Sequence, residues 1–513
     1  MSNYVKQWDI EDPQFWDITG KRIAIRNLWI SIPCLLCAFA VWLYWSVITV
    51  QMKNLGFPFD TVQLFTLSAI AGLAGATLRI PNSFLISIAG GRNVIALTTG
   101  LLIVPSIGVG IALQSMETPY TTFAILAALS GLGGGNFASS MSNISFFFPK
   151  RVQGTSLGLN AGLGNIGVSV MQVLIPFSVT FSLFGALGGA GLAPMGTAAP
   201  GTLIYIQNSG FVWVPILIGL TLAAWFGMNN LAPATPRLGA TISALVKILG
   251  LIAVGFVAAA VGIYLLLGLG LSMWIVLPAT IVLTVLLMKA IPGEIKANLN
   301  SQFAIFRNKH NWIMTYLYVM TFGSFIGYSA AFPLLIRVVF GELPDGTLNP
   351  NAPNPFTYAW LGPLVGSVAR PIGGWVSDIV GGAKVTQWDT VIMIIAALGV
   401  AFFVGQASGS ESPEQFFIPF LILFLILFIT TGVGNGSTFR MVPIIFKSAE
   451  AGPVLGWTSA VAAYGAFIIP RIFGQQIDAG TPELALYGFA VYYFSCLVLN
   501  WYYYARKNAE IKA

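Results

Sequence analysis

Charged side chains are scarce in this sequence, since only 8% of its 513 residues are Asp, Glu, Lys or Arg. Soluble domains carry about 25% charged residues, so a soluble globular protein is excluded. Instead, 56% of the residues are hydrophobic, and apolar runs of about twenty residues, long enough to cross a bilayer as helices, recur along the chain. The sequence therefore predicts a helical, polytopic membrane protein.

Histidine and cysteine are also rare, with one and three copies. Haem anchoring in a membrane enzyme normally uses histidines within the spans, but His310 falls in a predicted cytoplasmic loop. Cys34 and Cys37 form a C-x-x-C in the first apolar run without the second Cys or His pair of a zinc site. We predict no cofactor, no metal site and no enzymatic activity.

Fourteen segments are predicted to span the membrane. They are residues 28–50, 63–89, 93–115, 120–148, 154–184, 211–231, 240–267, 271–291, 312–340, 355–380, 387–407, 415–446, 451–474 and 483–505. Positive residues lie mainly on the side of both termini, whereas the other side holds few, such as Lys53 and Arg337. By the positive-inside rule both termini are cytoplasmic, and this topology explains the net charge of +7 better than nucleic-acid binding does.

An internal repeat divides the chain into two halves. GATLRIPNSFLISIAGG from Gly75 matches GSVARPIGGWVSDIVGG from Gly366, and GGGNFASSMSNISFFFPK from Gly133 matches TGVGNGSTFRMVPIIFK from Thr431. Parallel repeats of six helices are the arrangement of the major facilitator fold. We predict an all-α protein with a cytoplasmic segment (1–26), a six-helix half (27–232), a connection with two added helices (233–311), a second six-helix half (312–506) and a tail (507–513). The added pair, residues 240–291, is assigned to packing or lipid contact.

Two arginines lie deep within predicted spans at equivalent positions of the repeat. Arg79 is roughly 16 Å from the nearer end of its span, and a charge at a helix centre costs about 2.5–3.5 kcal/mol on insertion scales. A purely structural role for Arg79 or Arg370 would need an acidic partner. The acids considered all fall at span ends or in loops: Asp60, Glu117, Glu342, Asp345, Asp378, Glu411, Glu450, Asp478 and Glu483. We predict that the two guanidinium groups face a central cavity and bind a small planar anion, because their parallel N–H groups suit nitrate, nitrite or a carboxylate.

Several long motifs resemble the nitrate/nitrite porters of the major facilitator superfamily. They are ISFFFPK, GLNAGLGNIGVSVMQ, LRIPNSF, TFGSFIG and EDPQFWDITGKRIAIRNLWIS, and the resemblance covers nearly the whole chain except the added helix pair and adjoining loops. It implies that Arg79 and Arg370 grip the substrate and that Asn165 and Tyr318 complete its hydrogen bonds. It also implies that Phe137 and Phe322 sandwich the flat anion. The expected partners are nitrate, nitrite and the lipid bilayer of a cytoplasmic (inner) membrane, with no nucleic acid, and the expected state is a monomer.

The expected mechanism is alternating access, in which the two halves rock around the central site. A proton symporter usually needs a carboxylate or histidine within the membrane, and neither the peripheral acids nor His310 meet that need. Exchange of nitrate for nitrite is therefore favoured over nitrate/proton symport. The other open alternatives are an anion channel or sensor built on the same fold, and transport of another small planar monoanion such as an organic monocarboxylate.

Overall fold

The computed structural model describes residues 4–195, 202–235, 238–293, 296 and 303–513, and most of them are helical. The α-helices of the first half are Pro13–Phe15, Lys21–Leu43, Trp45–Leu55, Thr61–Ala89, Gly91–Leu101, Ile103–Ala112, Tyr120–Ser130, Leu132–Ser145, Lys150–Asn165, Gly167–Ser178, Gly185–Gly188, Asn208–Phe211 and Trp213–Gly227. Thr241–Leu267 and Met273–Ala290 follow in the connection. Those of the second half are Lys309–Tyr318, Ser324–Val339, Pro355–Tyr358, Leu361–Val380, Gly382–Ser408, Phe417–Ile445, Ser448–Ala462, Gly465–Asp478 and Pro482–Asn500.

Shorter elements complete the described part of the chain. Trp16–Gly20, Val319–Gly323 and Trp501–Ala505 are π-helical, and Phe303–Arg307 and Pro413–Phe416 are 3₁₀-helical. The two-residue strands Tyr4–Val5 and Asn230–Leu231 pair in parallel. This pairing and a hydrogen bond from Trp8 Nε1 to the Phe146 carbonyl (2.8 Å) hold the N-terminal segment against the first half.

Twelve helices among the described residues are long and apolar enough to cross a membrane. The predicted count of fourteen includes two further segments, residues 120–148 and 355–380, which are helical but fall outside that set. The first is divided at Gly131 into helices of 11 and 14 residues, and the second, Leu361–Val380, carries Arg370 and Asp378. These two segments carry the predicted site residues Phe137 and Arg370. Polar and small side chains therefore take the place of large apolar ones near the predicted site.

Glycines allow the same close helix crossing in both halves. Thr61–Ala89, hereafter the Arg79 helix, meets Leu132–Ser145 where a Cβ on Gly134 would lie 2.6 Å from the Gly75 Cα atom. Leu361–Val380, hereafter the Arg370 helix, meets Phe417–Ile445 where a Cβ on Gly432 would lie 2.2 Å from the Gly366 carbonyl oxygen. Gly75 and Gly366 are equivalent in the repeat, as are Gly134 and Gly432. Each crossing brings an arginine-bearing helix against its neighbour.

The added helix pair, Thr241–Leu267 and Met273–Ala290, packs against the first half. A Cβ on Gly255 would lie 2.7 Å from the Leu78 side chain and 3.1 Å from Pro81, both on the Arg79 helix. Within the pair, Gly262 lies against Thr280. The pair therefore supports the outer face of the helix that carries Arg79.

Replacing Gly134 by alanine is expected to lower thermal stability, because the new methyl group would press on Gly75 and on the Trp42 ring. Overpacking of this kind costs about 1–3 kcal/mol. The unfolding midpoint in detergent, followed by tryptophan fluorescence, measures the loss. Gly219→Ala is the matched control, since nothing lies within 4 Å of its Cβ position and alanine is the better helix former. Equal midpoints for the two variants would contradict the close crossing.

Candidate functional site

Arg79 is fully buried at the meeting point of the two halves, with 0% of its surface exposed. Its Nε donates to the Gly134 carbonyl (2.8 Å) in the first half, and its Nη1 donates to the Ser459 carbonyl (3.1 Å) in the second. Its Nη2 has no hydrogen-bond partner among the described residues. The guanidinium group is thus oriented by two backbone carbonyls and retains an N–H nitrogen free to bind an anion.

Three aromatic rings surround the Arg79 guanidinium. Its Cζ atom lies 4.7 Å from the ring centroid of Phe137, 4.9 Å from that of Phe322 and 5.2 Å from that of Trp42. A cation over an aromatic face within about 6 Å gains roughly 0.5–2 kcal/mol, with the larger value at desolvated sites. The rings therefore offset part of the cost of burying this charge.

Phe137 and Phe322 also face each other. Their ring centroids are 6.1 Å apart, with an angle of 25° between the ring planes. A flat anion inserted between two rings needs about 7 Å, because each carbon contact distance is about 3.5 Å or more. The rings would have to separate by about 1 Å to enclose such an ion, and since Phe137 and Phe322 belong to different halves, this separation involves the interface between the halves.

Arg370 is the second buried cation of the site, with 8% of its surface exposed. Its Nη1 has no hydrogen-bond partner within the described ranges, and its Cζ lies 5.4 Å from the Phe439 ring centroid. Arg79 interacts electrostatically with Arg370, and Tyr318 interacts with both. Both guanidinium groups therefore lie in the neighbourhood of Tyr318.

Tyr318 connects the arginines to the surrounding polar side chains. Its hydroxyl donates a hydrogen bond of 2.7 Å to Asn435 Oδ1, and its ring stacks on Phe322 at 5.7 Å. The hydroxyl oxygen is thereby held in place while its lone pairs remain available to the cations. Tyr318 lies at the end of Lys309–Tyr318, directly before the π-helical turn that carries Phe322.

Asn165 is buried at the end of Lys150–Asn165, and none of the residues that the structure describes forms a hydrogen bond with its Oδ1. This helix packs against the Arg370 helix. The structure therefore joins Arg79, Arg370, Tyr318, Phe137 and Phe322 through direct interactions, and it places Asn165 on a helix that packs against the Arg370 helix.

Sequence reasoning did not identify three side chains that contact the site: Trp42, Asn435 and Phe439. The repeat contained a signal for Asn435, because the offset that pairs Gly133 with Thr431 also pairs Phe137 with Asn435. Trp42 and Phe439 reach the arginines only through helix packing. No pattern along the chain distinguishes these two from the other aromatic residues.

Two assignments of ionisable residues are corrected by the structure. The sequence predicts that the acidic residues lie at span ends or in loops. Asp389 instead lies in the helix Gly382–Ser408 and is buried, with 6% of its surface exposed. His310 was placed in a loop, but it lies in the first turn of Lys309–Tyr318, buried, with Nδ1 2.9 Å from the Tyr504 hydroxyl. The prediction that no carboxylate lies within the membrane spans, which favoured exchange over proton symport, is therefore wrong.

A cavity of about 430 Å³ adjoins the site. Phe137, Phe439 and Ser459 border it at the site. Farther along, Ser145 and Phe146 line it where the first half turns into Lys150–Asn165, and Val285 contributes from the added helix pair. The cavity thus runs from the arginine pair toward the side predicted to be cytoplasmic, and the added pair forms part of its wall.

The opposite side is closed by polar contacts between the halves. Lys53 Nζ lies 3.0 Å from Glu342 Oε1, and Arg337 Nε donates to Asn54 Oδ1 at 2.6 Å. Closer to the site, the following pairs also join the halves: Arg471 with Thr66 (2.6 Å), Tyr464 with Thr77 (2.9 Å) and Gln172 with the Ser329 carbonyl (3.2 Å). The molecule is therefore closed on the Lys53 side.

Curated relatives match the chain almost end to end. It is 40% identical to the "Probable nitrate/nitrite antiporter NarK2" of Thermus thermophilus, over 99% of this chain and 98% of that protein. It is 36% identical to the "Nitrate/nitrite transporter NarU" of Escherichia coli, over 99% of this chain and 97% of that protein. No family model matches the sequence.

Solved transporters share the fold at low sequence identity. The xylose transporter XylE from E. coli, in a partially occluded inward-open conformation, has a TM-score of 0.57 at 11% identity and covers 93% of this chain and 99% of its own. Tetrameric PepTSo2 has a TM-score of 0.55 at 14% identity, over 94% of this chain and 96% of its own. These similarities confirm the predicted major facilitator fold.

Proposed function

The chain belongs to the nitrate/nitrite transporters of the major facilitator superfamily, and we propose that it exchanges nitrate for nitrite by alternating access through the Arg79–Arg370 site. The observation that carries this proposal is the pair of buried guanidinium groups, each with one nitrogen that lacks a hydrogen-bond partner. A buried cation is stabilised when an opposite charge and hydrogen bonds compensate its desolvation. A monovalent planar oxyanion supplies both.

For the site residues we propose the roles that the family resemblance implies. Arg79 and Arg370 would bind the oxygens of the anion, and Tyr318 and Asn165 would complete its hydrogen bonds. Phe137 and Phe322 would close on its faces once their rings separate. Guanidinium suits this task because its N–H groups form a fixed planar fork, which an ammonium group lacks.

The same charges favour exchange over uniport. To change conformation, the halves must enclose the site, and an empty site would enclose two uncompensated cations. A charge at a helix centre costs about 2.5–3.5 kcal/mol on insertion scales. A loaded site carries one negative charge to offset this cost, so the loaded carrier would reorient faster than the empty one.

The contacts between the halves support alternating access. The cavity reaches the site from one side, while Lys53, Glu342, Arg337 and Asn54 hold the other side closed. Transport would require these contacts to break as the cavity closes. We also propose that the chain lies in the cytoplasmic membrane with both termini cytoplasmic, acts as a monomer, and has neither enzymatic activity nor affinity for nucleic acid.

Counterflow in proteoliposomes tests the exchange mechanism. Isotope-labelled nitrate is supplied outside, with either nitrite or buffer inside. Uptake is expected to be at least about tenfold faster with internal nitrite, because tenfold corresponds to only about 1.4 kcal/mol in the barrier. Equal uptake accompanied by internal acidification would indicate proton symport, and equal uptake driven by membrane potential would indicate a channel. Stronger competition by formate or acetate than by nitrite would indicate an organic monocarboxylate.

Arg79→Lys and Arg370→Lys are each expected to weaken nitrate binding by roughly tenfold to a hundredfold, since hydrogen bonds to charged groups contribute about 1.5–3 kcal/mol. Binding is measured by nitrate-dependent thermal stabilisation of the purified protein. Arg22→Lys is the matched control, because Arg22 is exposed and far from the site in the N-terminal part of the chain. Wild-type affinity in both site variants would refute the assignment of the arginines.

Glu342→Gln is expected to open the Lys53 side more often, because it removes the ion pairs of Lys53 and Arg337 with Glu342. Partly exposed pairs contribute about 0.2–1 kcal/mol, which corresponds to an increase of up to about fivefold in the open fraction. The readout is the rate at which a membrane-impermeant maleimide labels a cysteine introduced at Thr66, in otherwise identical proteins. Glu117→Gln, at an exposed residue, is the control. Unchanged labelling would show that this ion pair does not hold the closed state.

A further inference from the structure

Asp389 is the one acidic residue among the described residues that is buried, with 6% of its surface exposed. It lies in Gly382–Ser408, eighth in order along that helix, and its Oδ2 has no hydrogen-bond partner in the part of the chain that the structure describes. Burial without a counter-charge favours the neutral form of a carboxyl group. An acid in this position within a membrane protein is a candidate for proton binding.

The Asp389 carboxyl packs against two residues that adjoin the anion site in sequence. A Cβ on Gly434 would lie 2.7 Å from Asp389 Oδ2 and 2.6 Å from Thr321 Cγ2, so the three residues meet at one point. Gly434 directly precedes Asn435, which accepts the Tyr318 hydroxyl hydrogen bond. Thr321 directly precedes Phe322, whose ring faces Phe137.

The helix Phe417–Ile445, which carries Gly434, lies between Asp389 and Arg370. A Cβ on Gly436 would lie 2.2 Å from the Arg370 carbonyl oxygen, and Gly434 and Gly436 point to nearly opposite sides of Phe417–Ile445, only about 3 Å apart along its axis. Asp389 and the Arg370 backbone therefore lie at the same level on either side of one helix, roughly 10–12 Å apart. That distance ends at the Arg370 backbone and not at its guanidinium group, and charges buried in a protein are screened much less than exposed ones.

The charged residues on the helices packed against Gly382–Ser408 are Arg337, Arg370, Asp378, Glu414, Arg440 and Glu483. Arg337 pairs with Glu342, Arg440 pairs with Asp378, and Glu414 accepts a hydrogen bond from Asn349. Glu483 lies at the far end, where its side chain approaches Gly405. The remaining neighbours that can titrate are tyrosines and Cys496, which are neutral near pH 7. Lys384, on the same helix as Asp389, is exposed. Arg370 is thus the buried cation among these described residues, and it is the one placed to respond to the charge of Asp389.

We propose that Asp389 is a proton-binding site whose protonation tunes the anion affinity of the arginine pair. This inference rests on the proposed function of that pair. When Asp389 is neutral, the anion is bound by two uncompensated cations. When Asp389 ionises, its negative charge opposes the anion and weakens binding. By linkage, the anion strengthens proton binding at Asp389 to the same extent, so nitrate binding takes up protons from solution in the pH range where Asp389 titrates.

The test measures nitrate affinity of the purified full-length protein from about pH 5 to about pH 9, a range in which nitrate remains a monoanion. Because typical coupling between sites changes affinity by about fivefold or more, the dissociation constant of the wild type is expected to rise about five- to tenfold toward alkaline pH. Asp389→Asn should keep the low dissociation constant over this whole pH range, and Asp389→Glu should restore the dependence of the constant on pH. Asp478→Asn, at an exposed acid, is the control and should follow the wild type.

A second readout uses the wild type alone and therefore does not depend on how the variants fold. Nitrate is titrated into weakly buffered protein, and the pH change is recorded. Proton uptake within the range where affinity changes supports the proposal. Nitrate binding without uptake at any pH, or a wild-type pH dependence retained in Asp389→Asn, overturns it while leaving the anion site intact. An absence of nitrate binding at every pH would instead overturn the proposed function together with this inference.

Discussion

The rest of the site depends on one constraint, which is that the Arg79 guanidinium must be stabilised in the interior of a membrane protein without an acidic partner. Two backbone carbonyls, from Gly134 and Ser459, and three aromatic rings supply this stabilisation. Both kinds of contact orient the cation without neutralising it. A carboxylate would have satisfied the same N–H groups more strongly, but it would have removed the positive charge that attracts an anion.

This solution requires neighbouring helices to approach closely. A carbonyl oxygen of Leu132–Ser145 reaches Arg79 because Gly134 and Gly75 let the two backbones nearly touch. The repeat builds the same crossing with Gly432 and Gly366, which places Arg370 in the equivalent position of the second half. Since the Ser459 carbonyl comes from the second half, Arg79 also spans the interface that must move during transport. In the proposed mechanism, recognition of the anion and movement of the halves would therefore share one set of contacts.

The sequence was sufficient to predict the membrane class, the repeat and the arginine pair, because charges within apolar runs are rare and because the two copies align. The family resemblance added Tyr318, Phe137 and Phe322, which direct interactions link to the arginines in the structure. Trp42 and Phe439 could not be predicted, since their contacts arise from packing between segments distant in sequence. The burial of Asp389 could not be predicted for a different reason. The span that contains it was predicted to begin at residue 387, which put the acid at a membrane edge, whereas the helix begins at Gly382 and neighbouring helices cover it.

The buried position of Asp389 changes the reason for favouring exchange over proton symport. The absence of a carboxylate within the membrane no longer supports it, but the charge of the empty site still does. Two cations enclosed with a neutral Asp389 would make the empty carrier reluctant to reorient, and one monoanion would relieve part of that cost. An ionised Asp389 would relieve part of it as well. In a cell, the protonation state of this residue would then set how strictly reorientation depends on a bound anion. In the proposed mechanism, exchange and proton coupling would thus be two outcomes of the same charge balance, and the Asp389 carboxyl group, packed against the helix Phe417–Ile445, would shift the protein between them.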